Sequence, residues 1–337
     1  MKAVAYKTPG PIDRPDSLVD TSLDKPSPEG RDLLVEVKAV SVNPVDYKVR
    51  RSAAPDPGEW KVLGWDAVGT VVAVGDEVRS FKPGDDVWYA GSISRPGSNS
   101  EFHLVDERIV GPKPSTVSDA EAAALPLTAI TAWEMLFDRL DVRKPVPGAA
   151  QAVVIIGAAG GVGSIAIQLL RELTDVTVIA TASRPETQAW ARSLGAHYTV
   201  DHSRPIADQI AALGIGAPAF VFSTNQTAKH LEEIVACIAP QGRFGLIDDP
   251  GALDVSAFKR KSVSIHWELM FTRALFETPD MEEQGKLLTE LSRLVDAGRV
   301  KTTATEVLHP INAQTLKKAH AMLESGTARG KIVVEGF

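Results

Sequence analysis

Residues 153–170 read VVIIGAAGGVGSIAIQLL. The β-branched apolar run predicts a buried strand, the glycines predict a tight turn, and the apolar residues after them recur at helical spacing. This order is typical of a dinucleotide site, because glycines let backbone N–H groups approach a pyrophosphate at the positive end of a helix. In the G-x-G-x-x-G pattern, Ala158 takes the first glycine's place. We expect Gly160, Gly161, Val162 and Gly163 to bind a dinucleotide; a plain strand–turn–helix unit is the alternative.

A second apolar strand, Val176–Thr181, follows at the distance that a βαβ unit requires. The residues after this strand select the dinucleotide. An acidic side chain accepts a hydrogen bond from the ribose 2′-OH of NAD, whereas a cationic side chain binds the 2′-phosphate of NADP. Here Ser183 and Arg184 follow without an acid, and the guanidinium fork suits phosphate oxygens. The sequence therefore predicts NADP(H), bound by Ser183 and Arg184. The alternative is a solvent-exposed arginine at the start of the next helix.

Length, composition and charge describe an ordinary globular protein of two domains. The chain has 337 residues, 44% of them hydrophobic and 23% charged, and a formal net charge of −7. An acidic protein attracts neither nucleic acid nor an anionic membrane, so we expect neither as a partner. The single cysteine, Cys237, fits a reducing cytoplasm, and no signal core or membrane-spanning run is present. We expect a cytoplasmic protein.

The chain has two parts that differ in their predicted secondary structure. Up to about Leu125 it is rich in predicted strands, and Ser118 with Glu121 predicts a capped helix start. From about Leu127 strands alternate with helices, which predicts a doubly wound parallel sheet. After Trp267 the alternation ends. We therefore predict an α/β protein in which a nucleotide-binding domain (128–266) interrupts a β-rich domain (1–127 and 267–337).

Six short motifs, spread in order over nearly the whole chain, carry a family resemblance. They are Ser41-Val42-Asn43-Pro44-Val45-Asp46, Gly64-Trp65-Asp66-Ala67-Val68-Gly69 with Val74-Gly75, Phe81-Lys82-Pro83-Gly84-Asp85-Asp86-Val87, Leu125-Pro126-Leu127-Thr128, Gly160-Gly161-Val162-Gly163 and Arg329-Gly330-Lys331-Ile332-Val333-Val334. The chain resembles the medium-chain dehydrogenase/reductase superfamily. Within it, the chain is similar to the quinone oxidoreductase-like (zeta-crystallin-like) proteins and to a bacterial branch often labelled zinc-type alcohol dehydrogenase. The resemblance implies a GroES-like catalytic domain split by a Rossmann domain, and a homodimer.

The zinc of that label does not fit this sequence. Catalytic zinc needs three side-chain ligands from Cys, His or carboxylates. In zinc-dependent relatives, the resemblance places a Cys at Asn43, a His-Glu pair at Trp65-Asp66 and a second Cys near Leu127. One cysteine excludes a four-thiolate structural site, and the seven histidines are scattered without ligand spacing. We expect no metal site.

Without a metal Lewis acid, simple alcohol oxidation loses the group that stabilises the alkoxide. Hydride donation from NADPH to an electron-poor quinone or α,β-unsaturated carbonyl remains feasible. The resemblance places Tyr47 and Lys48 near the nicotinamide, and with Asn43 they are our candidate catalytic residues. The alternatives are a packed aromatic for Tyr47, a solvated charge for Lys48 and a cap of the turn before Pro44 for Asn43.

Four further cofactor contacts follow from position within the resemblance. Thr131 falls where relatives contact the nicotinamide side, and Thr224 follows the fourth strand, where the second half-site begins. His202 takes the place of a tyrosine that quinone oxidoreductases have beside the 2′-phosphate, and Lys331 matches a position that reaches the cofactor. The alternatives are a surface histidine and a solvated lysine.

Taken together, these residues predict an NADPH-dependent, zinc-independent quinone or enone reductase. One alternative is a 2-enoyl-thioester reductase, which needs cations for the phosphates of its carrier. The chain offers only Lys259-Arg260-Lys261 as a basic run. The other alternative is an NADPH-binding sensor with negligible turnover.

Overall fold

A computed structural model describes all residues from Met1 to Phe337. Its strands are, in chain order, β1 (Lys2–Tyr6), β2 (Val19–Ser22), β3 (Asp32–Ser41), β4 (Lys61–Val62), β5 (Ala67–Val74), β6 (Asp86–Tyr89), β7 (Phe102–Asp106), β8 (Val110–Pro112), β9 (Ala150–Ile156), β10 (Thr177–Thr181), β11 (Tyr198–Val200), β12 (Pro218–Ser223), β13 (Arg243–Leu246), β14 (Ser264–Trp267), β15 (Ala304–Leu308) and β16 (Lys331–Glu335). Its helices are α1 (Pro44–Ser52), α2 (Asp119–Ala123), α3 (Pro126–Trp133), α4 (Gly161–Leu173), α5 (Pro185–Ser193), α6 (Ile206–Ala212), α7 (Thr227–Cys237), α8 (Thr272–Leu275), α9 (Glu283–Asp296) and α10 (Ala313–Glu324). None of these helices is both long enough and apolar enough to cross a membrane.

The chain divides into two compact units. The first unit comprises residues 1–130 and 271–337, and the second comprises Thr131–Met270. The domain limits expected from the sequence, 127/128 and 266/267, are not the same residues and stay a prediction.

The second unit is built on a six-stranded parallel sheet in the order β11-β10-β9-β12-β13-β14. The chain starts in the middle at β9, runs outward to β11, and returns to the other side of β9 at β12. This is the 3-2-1-4-5-6 order of a Rossmann sheet, and it confirms the predicted doubly wound arrangement. Because strand order reverses between β9 and β12, the carboxyl ends of these two strands form the expected ligand position of the sheet. The strands are nearly continuous apolar runs, as expected where both sheet faces are covered by helices.

The first unit is dominated by a largely antiparallel sheet in the order β15-β16-β3-β5-β6-β8, with β7 also paired to β3. Strand β16 comes from the C-terminal part of the chain and pairs with β3, with Val333 opposite Ser41. The N-terminal and C-terminal parts of the chain therefore share one sheet in this unit. A smaller sheet, β2-β1-β4, completes the unit.

The predicted cap of α2 is present. The backbone N–H of Glu121 donates to Ser118 Oγ at 3.2 Å, and the Ser118 N–H donates to Glu121 Oε2 at 2.9 Å. These two bonds satisfy N–H groups that a helix end otherwise leaves without partners. Helix α2 contacts β3, β5 and β16, and thus packs on the sheet that both chain parts build.

Candidate active site

The glycine turn lies at the carboxyl end of β9, where strand order reverses. Gly157 follows β9 with φ of +76°, a conformation that favours glycine. Helix α4 starts at Gly161 with Gly160 as its N-cap. The backbone N–H groups of Gly161, Val162 and Gly163 therefore belong to the first turn, where a helix offers them no acceptor. The predicted residues 160–163 come together at a helix N-terminus, whose dipole suits a pyrophosphate.

Sequence reasoning missed the role of Gly157. The pattern placed the first glycine of the motif at Ala158, whereas the turn is made at Gly157. A Cβ on Gly157 would lie 2.4 Å from Thr224 Oγ1, so a side chain there would require Thr224 to move. A Cβ on Gly163 would lie 2.5 Å from the Ala158 Cα, which explains why α4 can approach the turn so closely. The signal was available, because Gly157 is the first residue after the apolar run.

Gly157→Ala is expected to destabilise the protein more than Gly148→Ala does. Gly148 has φ of +77° and nothing within 4 Å of an added Cβ, so it reports backbone strain alone. At Gly157 the added methyl must also displace Thr224, which should cost about 1–3 kcal/mol more in the free energy of unfolding. Urea unfolding of both variants measures the difference. Equal losses would show that Thr224 yields without cost.

Thr224 links the two strands at the reversal point. It follows β12, and its hydroxyl donates to the carbonyl oxygen of Ile156, at the end of β9, at 2.8 Å. The structure therefore brings this predicted cofactor residue to the glycine turn, where it also limits the space at Gly157. Thr131, the other predicted contact on the nicotinamide side, lies buried in α3.

The residues predicted to select NADP lie at the carboxyl ends of β10 and β11. Ser183 is exposed, and Arg184 is the N-cap of α5 with its Nε 3.2 Å from Glu186 Oε1. This pair is largely exposed, so it holds the guanidinium weakly. His202 follows β11, with its Nδ1 3.0 Å from Thr181 Oγ1. Burial lowers the pKa of His202. Sequence reasoning missed Thr181, which is an ordinary strand residue in the sequence.

In the first unit, Asn43 is a buried residue that fixes the turn before α1. Its backbone N–H donates to Asp46 Oδ2 at 2.6 Å. Its side-chain Nδ2 donates to Asp66 Oδ2 at 2.8 Å and to the Ser41 carbonyl at 3.3 Å. Both amide hydrogens are thus engaged, so Asn43 has none left for a substrate oxygen. This geometry favours the capping alternative, and a catalytic role for Asn43 stays a prediction.

Asp66 is the centre of this region, and sequence reasoning did not include it among the candidate site residues. Its side chain is fully buried. Its two oxygens accept four hydrogen bonds, from the Leu127 N–H at 2.7 Å, Ser41 Oγ at 2.8 Å, Asn43 Nδ2 at 2.8 Å and Lys331 Nζ at 2.9 Å. Donors that favour the charged form offset the cost of burying a carboxylate.

Lys331 is the cation of the same group, which we call the buried cluster (Asn43, Asp66, Lys331). Its side chain is only 4% exposed, so it is not the solvated lysine of the alternative. The ammonium donates to the Val42 carbonyl at 3.0 Å, to Asp66 Oδ2 at 2.9 Å and to Asn43 Oδ1. All three ammonium hydrogens are used. The predicted contact of Lys331 with a cofactor stays a prediction, and it would require one of these bonds to break.

The residues at the zinc positions do not fit a zinc ion. Of Asn43, Trp65, Asp66 and Leu127, only Asp66 has an ionisable ligand group, and its oxygens are occupied. The Trp65 indole N–H donates to the Ser92 carbonyl at 3.1 Å. No group of three or more His, Cys, Asp or Glu side chains is placed to hold a metal. The Lys331 ammonium supplies the positive charge beside Asp66 instead.

We expect the purified protein to carry no stoichiometric zinc. Because no ligand set is available, treatment with a chelator should change neither the far-UV circular dichroism nor the stability. Elemental analysis before and after dialysis against the chelator measures this. Zinc at one ion per chain, lost together with the folded structure, would contradict the geometry.

Helix α1 turns Asp46 and Arg50 inward and Tyr47 and Lys48 outward. Asp46 is fully buried, and burial raises its pKa to about 7 even though the Asn43 N–H donates to it. Tyr47 is half-buried, with the Arg51 guanidinium 5.5 Å from its ring centroid, and Lys48 is exposed. Of the three candidate catalytic residues, Tyr47 and Lys48 thus have an accessible surface and Asn43 does not.

Two family descriptions match parts of this chain. Residues 29–115 match "Alcohol dehydrogenase GroES-like domain", and residues 194–334 match "Zinc-binding dehydrogenase". A zinc-type alcohol dehydrogenase-like protein of Staphylococcus aureus strain MSSA476 is 37% identical over 99% of each chain. A 2-methylene-furan-3-one reductase of Solanum lycopersicum is 27% identical over 99% of this chain and 79% of that protein.

Solved structures share the whole fold. A crystal structure from Rhizobium etli CFN 42, described as a zinc-dependent alcohol dehydrogenase protein, is 68% identical with a TM-score of 0.99 and covers 100% of this chain and 98% of that one. Quinone oxidoreductase of Pseudomonas syringae pv. Tomato DC3000 is 25% identical with a TM-score of 0.81, over 99% of each chain. The GroES-like unit and the interrupting Rossmann unit agree with these matches. The chain therefore belongs to the medium-chain dehydrogenase/reductase superfamily, among its zinc-type alcohol dehydrogenase-like proteins.

Proposed function

We propose that the protein is an NADPH-dependent, zinc-independent reductase that transfers hydride to a quinone or an α,β-unsaturated carbonyl. The observation that carries this proposal is the buried cluster: Asn43 and Asp66, which the resemblance aligns with zinc ligands, are hydrogen-bonded to each other and to Lys331. Without a Lewis acid, an unactivated alcohol has no stabiliser for its alkoxide. A quinone or enone is already electron-poor and needs less help from the protein.

The residues of the second unit support NADPH as the cofactor. The N–H groups of residues 161–163 would hold the pyrophosphate, and Ser183, Arg184 and His202 would hold the 2′-phosphate. When bound, NADPH supplies the hydride. Thr131 would orient the nicotinamide side, and Thr224 would shape the turn beside it.

Tyr47 and Lys48 are proposed to stabilise the negative charge that develops on the acceptor oxygen. A phenol and an ammonium both donate hydrogen bonds to oxygen, and both side chains lie on the outward side of α1. The names of the two relatives that act on a furanone and on quinones support an electron-poor acceptor. The resemblance further supports a homodimer, and the single cysteine supports a cytoplasmic location.

The test is NADPH oxidation measured with a panel of quinones, enones and 2-enoyl thioesters. Turnover with quinones or enones is the expected result. Preference for the thioesters would support the carrier-dependent alternative. Of the basic run that it would use, Lys261 is already engaged, because its Nζ donates to the carbonyls of Val235, Ala236 and Ile238. Tight NADPH binding without oxidation by any acceptor would support the sensor and overturn the proposed activity.

Arg184→Ala should weaken NADPH binding by about 1.5–3 kcal/mol, the contribution of a charge-assisted hydrogen bond, and leave NADH binding nearly unchanged. The physical reason is that only NADPH has a 2′-phosphate for the guanidinium. Titration of both nucleotides by calorimetry measures the two affinities. Arg192→Ala, near the other end of α5, is the matched control and should bind NADPH normally. Equal affinity of the native protein for both nucleotides would defeat the assignment.

A further inference from the structure

A chain of hydrogen bonds joins the glycine turn to His202. Thr181 ends β10 and is fully buried, and its Oγ1 accepts a hydrogen bond from the Gly157 N–H at 3.2 Å. The same oxygen lies 3.0 Å from His202 Nδ1. Which of these two atoms donates depends on the tautomer of His202, and either direction couples the imidazole to the glycine turn.

The topology places His202 beside the segment that selects the dinucleotide. Strands β10 and β11 are parallel, with Thr181 opposite Val200, so their carboxyl ends meet at one edge of the sheet. Ser183 and Arg184 follow the first strand, and His202 follows the second. In a sheet of this order, the residues just beyond β10 contact the adenosine ribose, and the carboxyl end of β11 is adjacent to them. A phosphate on that ribose would therefore lie at this edge.

The net effect of burial and of the groups around His202 is a pKa below the ordinary value, which favours the neutral ring in the free protein. The His230 ring, on α7, has its centroid 5.8 Å from that of His202. Burial lowers the pKa of His202, and Lys229 on α7 lowers it further, whereas Asp201 on its own segment and a hydrogen bond with the Thr181 backbone raise it. The pKa of His230 is lowered by burial, by His202 and by Lys229, with Glu233 opposing. A phosphate dianion beside such a ring favours its protonated form.

We propose that His202 takes up a proton from water when NADPH binds, and that this proton-linked pairing with the 2′-phosphate strengthens the preference for NADPH over NADH. The inference rests on the proposed function, because it requires NADPH at this edge of the sheet. Once protonated, His202 donates from both ring nitrogens.

Calorimetric titration of the full-length protein with NADPH at pH 7.5, in two buffers of different ionisation enthalpy, counts the protons taken up. At this pH a phosphate monoester is mainly a dianion, so the ligand itself contributes little. We expect uptake approaching about one proton with NADPH and none with NADH. Because binding consumes a proton, the Kd for NADPH should increase as the pH rises, by up to about tenfold per pH unit.

His202→Asn retains hydrogen-bonding groups but does not titrate in this range, so it should abolish the proton uptake and flatten the pH dependence. His202→Gln serves the same purpose if the first variant does not fold. His197→Asn is the matched control, because His197 precedes β11 at the opposite edge of the sheet. It should behave like the native protein.

Binding of NADPH without proton uptake, or uptake that persists in His202→Asn, would overturn the inference and leave the proposed function intact. NADPH binding no tighter than NADH binding at any pH would overturn the NADPH assignment, and the inference with it. The two failures are therefore distinguishable.

Discussion

Lys331→Met should lower the free energy of unfolding by about 3–5 kcal/mol, the cost of removing one partner from a buried ion pair. Methionine has nearly the length of lysine, so packing changes little, but the Asp66 carboxylate loses its only cation. Val42 and Asn43 also lose the ammonium as a donor. Three other donors to Asp66 remain, which limits the loss. Urea unfolding monitored by circular dichroism measures the change.

Lys286→Met is the matched control for that variant. Lys286 contacts Glu282 and Glu283 on α9, and all three side chains are exposed. Water screens an exposed ion pair, so the control should lose little stability. Similar losses for both lysines would show that the buried cluster is not held by charge. If Lys331 also contacts the cofactor, the NADPH affinity of the folded Lys331→Met protein should decrease as well.

Tyr47→Phe and Lys48→Met should lower kcat for enones by about 10²-fold, the scale measured for removing one preorganised oxyanion donor. For quinones we expect about a tenfold loss, because the acceptor is already activated and depends less on the protein. NADPH affinity should stay nearly unchanged, since neither residue is assigned to cofactor binding. Steady-state kinetics with both acceptor types, together with NADPH titration, separate these effects.

Lys38→Met is the control for removing a positive charge from the same unit. Lys38 pairs with Asp86 on β6, at 3.1 Å, and both side chains are exposed. It should keep full kcat with either acceptor. If Tyr47→Phe and Lys48→Met also keep full kcat on both substrate types, the two residues have no chemical role. The nicotinamide and the positioning of the acceptor would then account for the whole reaction.

The second unit could be read from the sequence because its signals are local. A parallel strand covered on both faces must be apolar along its whole length, so 153–156 and 219–222 are visible without knowledge of their neighbours. The glycines after β9 predict a turn, and the alternation of strands and helices predicts a parallel sheet. Gly157 shows the limit of the pattern. A G-x-G-x-x-G template shifted the tight turn by one residue, and only the positive φ and the contact with Thr224 show where it lies.

The contacts of the first unit were harder to predict from the sequence, because they join distant parts of the chain. Lys331 lies 265 positions from Asp66 and 288 from Asn43 along the chain, and no local pattern pairs them. Their contact follows from the pairing of β16 with β3, which carries the C-terminal segment onto the first sheet. The sequence therefore allowed a solvated lysine, whereas burial and three oxygen partners exclude it.

The sequence alone determined the fold class and the interruption of one domain by another, and it predicted a glycine-rich turn and no ligand set for zinc. These follow from hydrophobic periodicity, from the conformational freedom of glycine and from residue types that cannot bind a metal. Only the tertiary structure decided that Asp66 and Lys331 form a buried pair, that Asn43 has no amide hydrogen to spare, and that Thr181 connects the turn to His202. The reason is that burial and hydrogen-bond partners depend on which distant segments meet, and those partners determine what a polar side chain can still do.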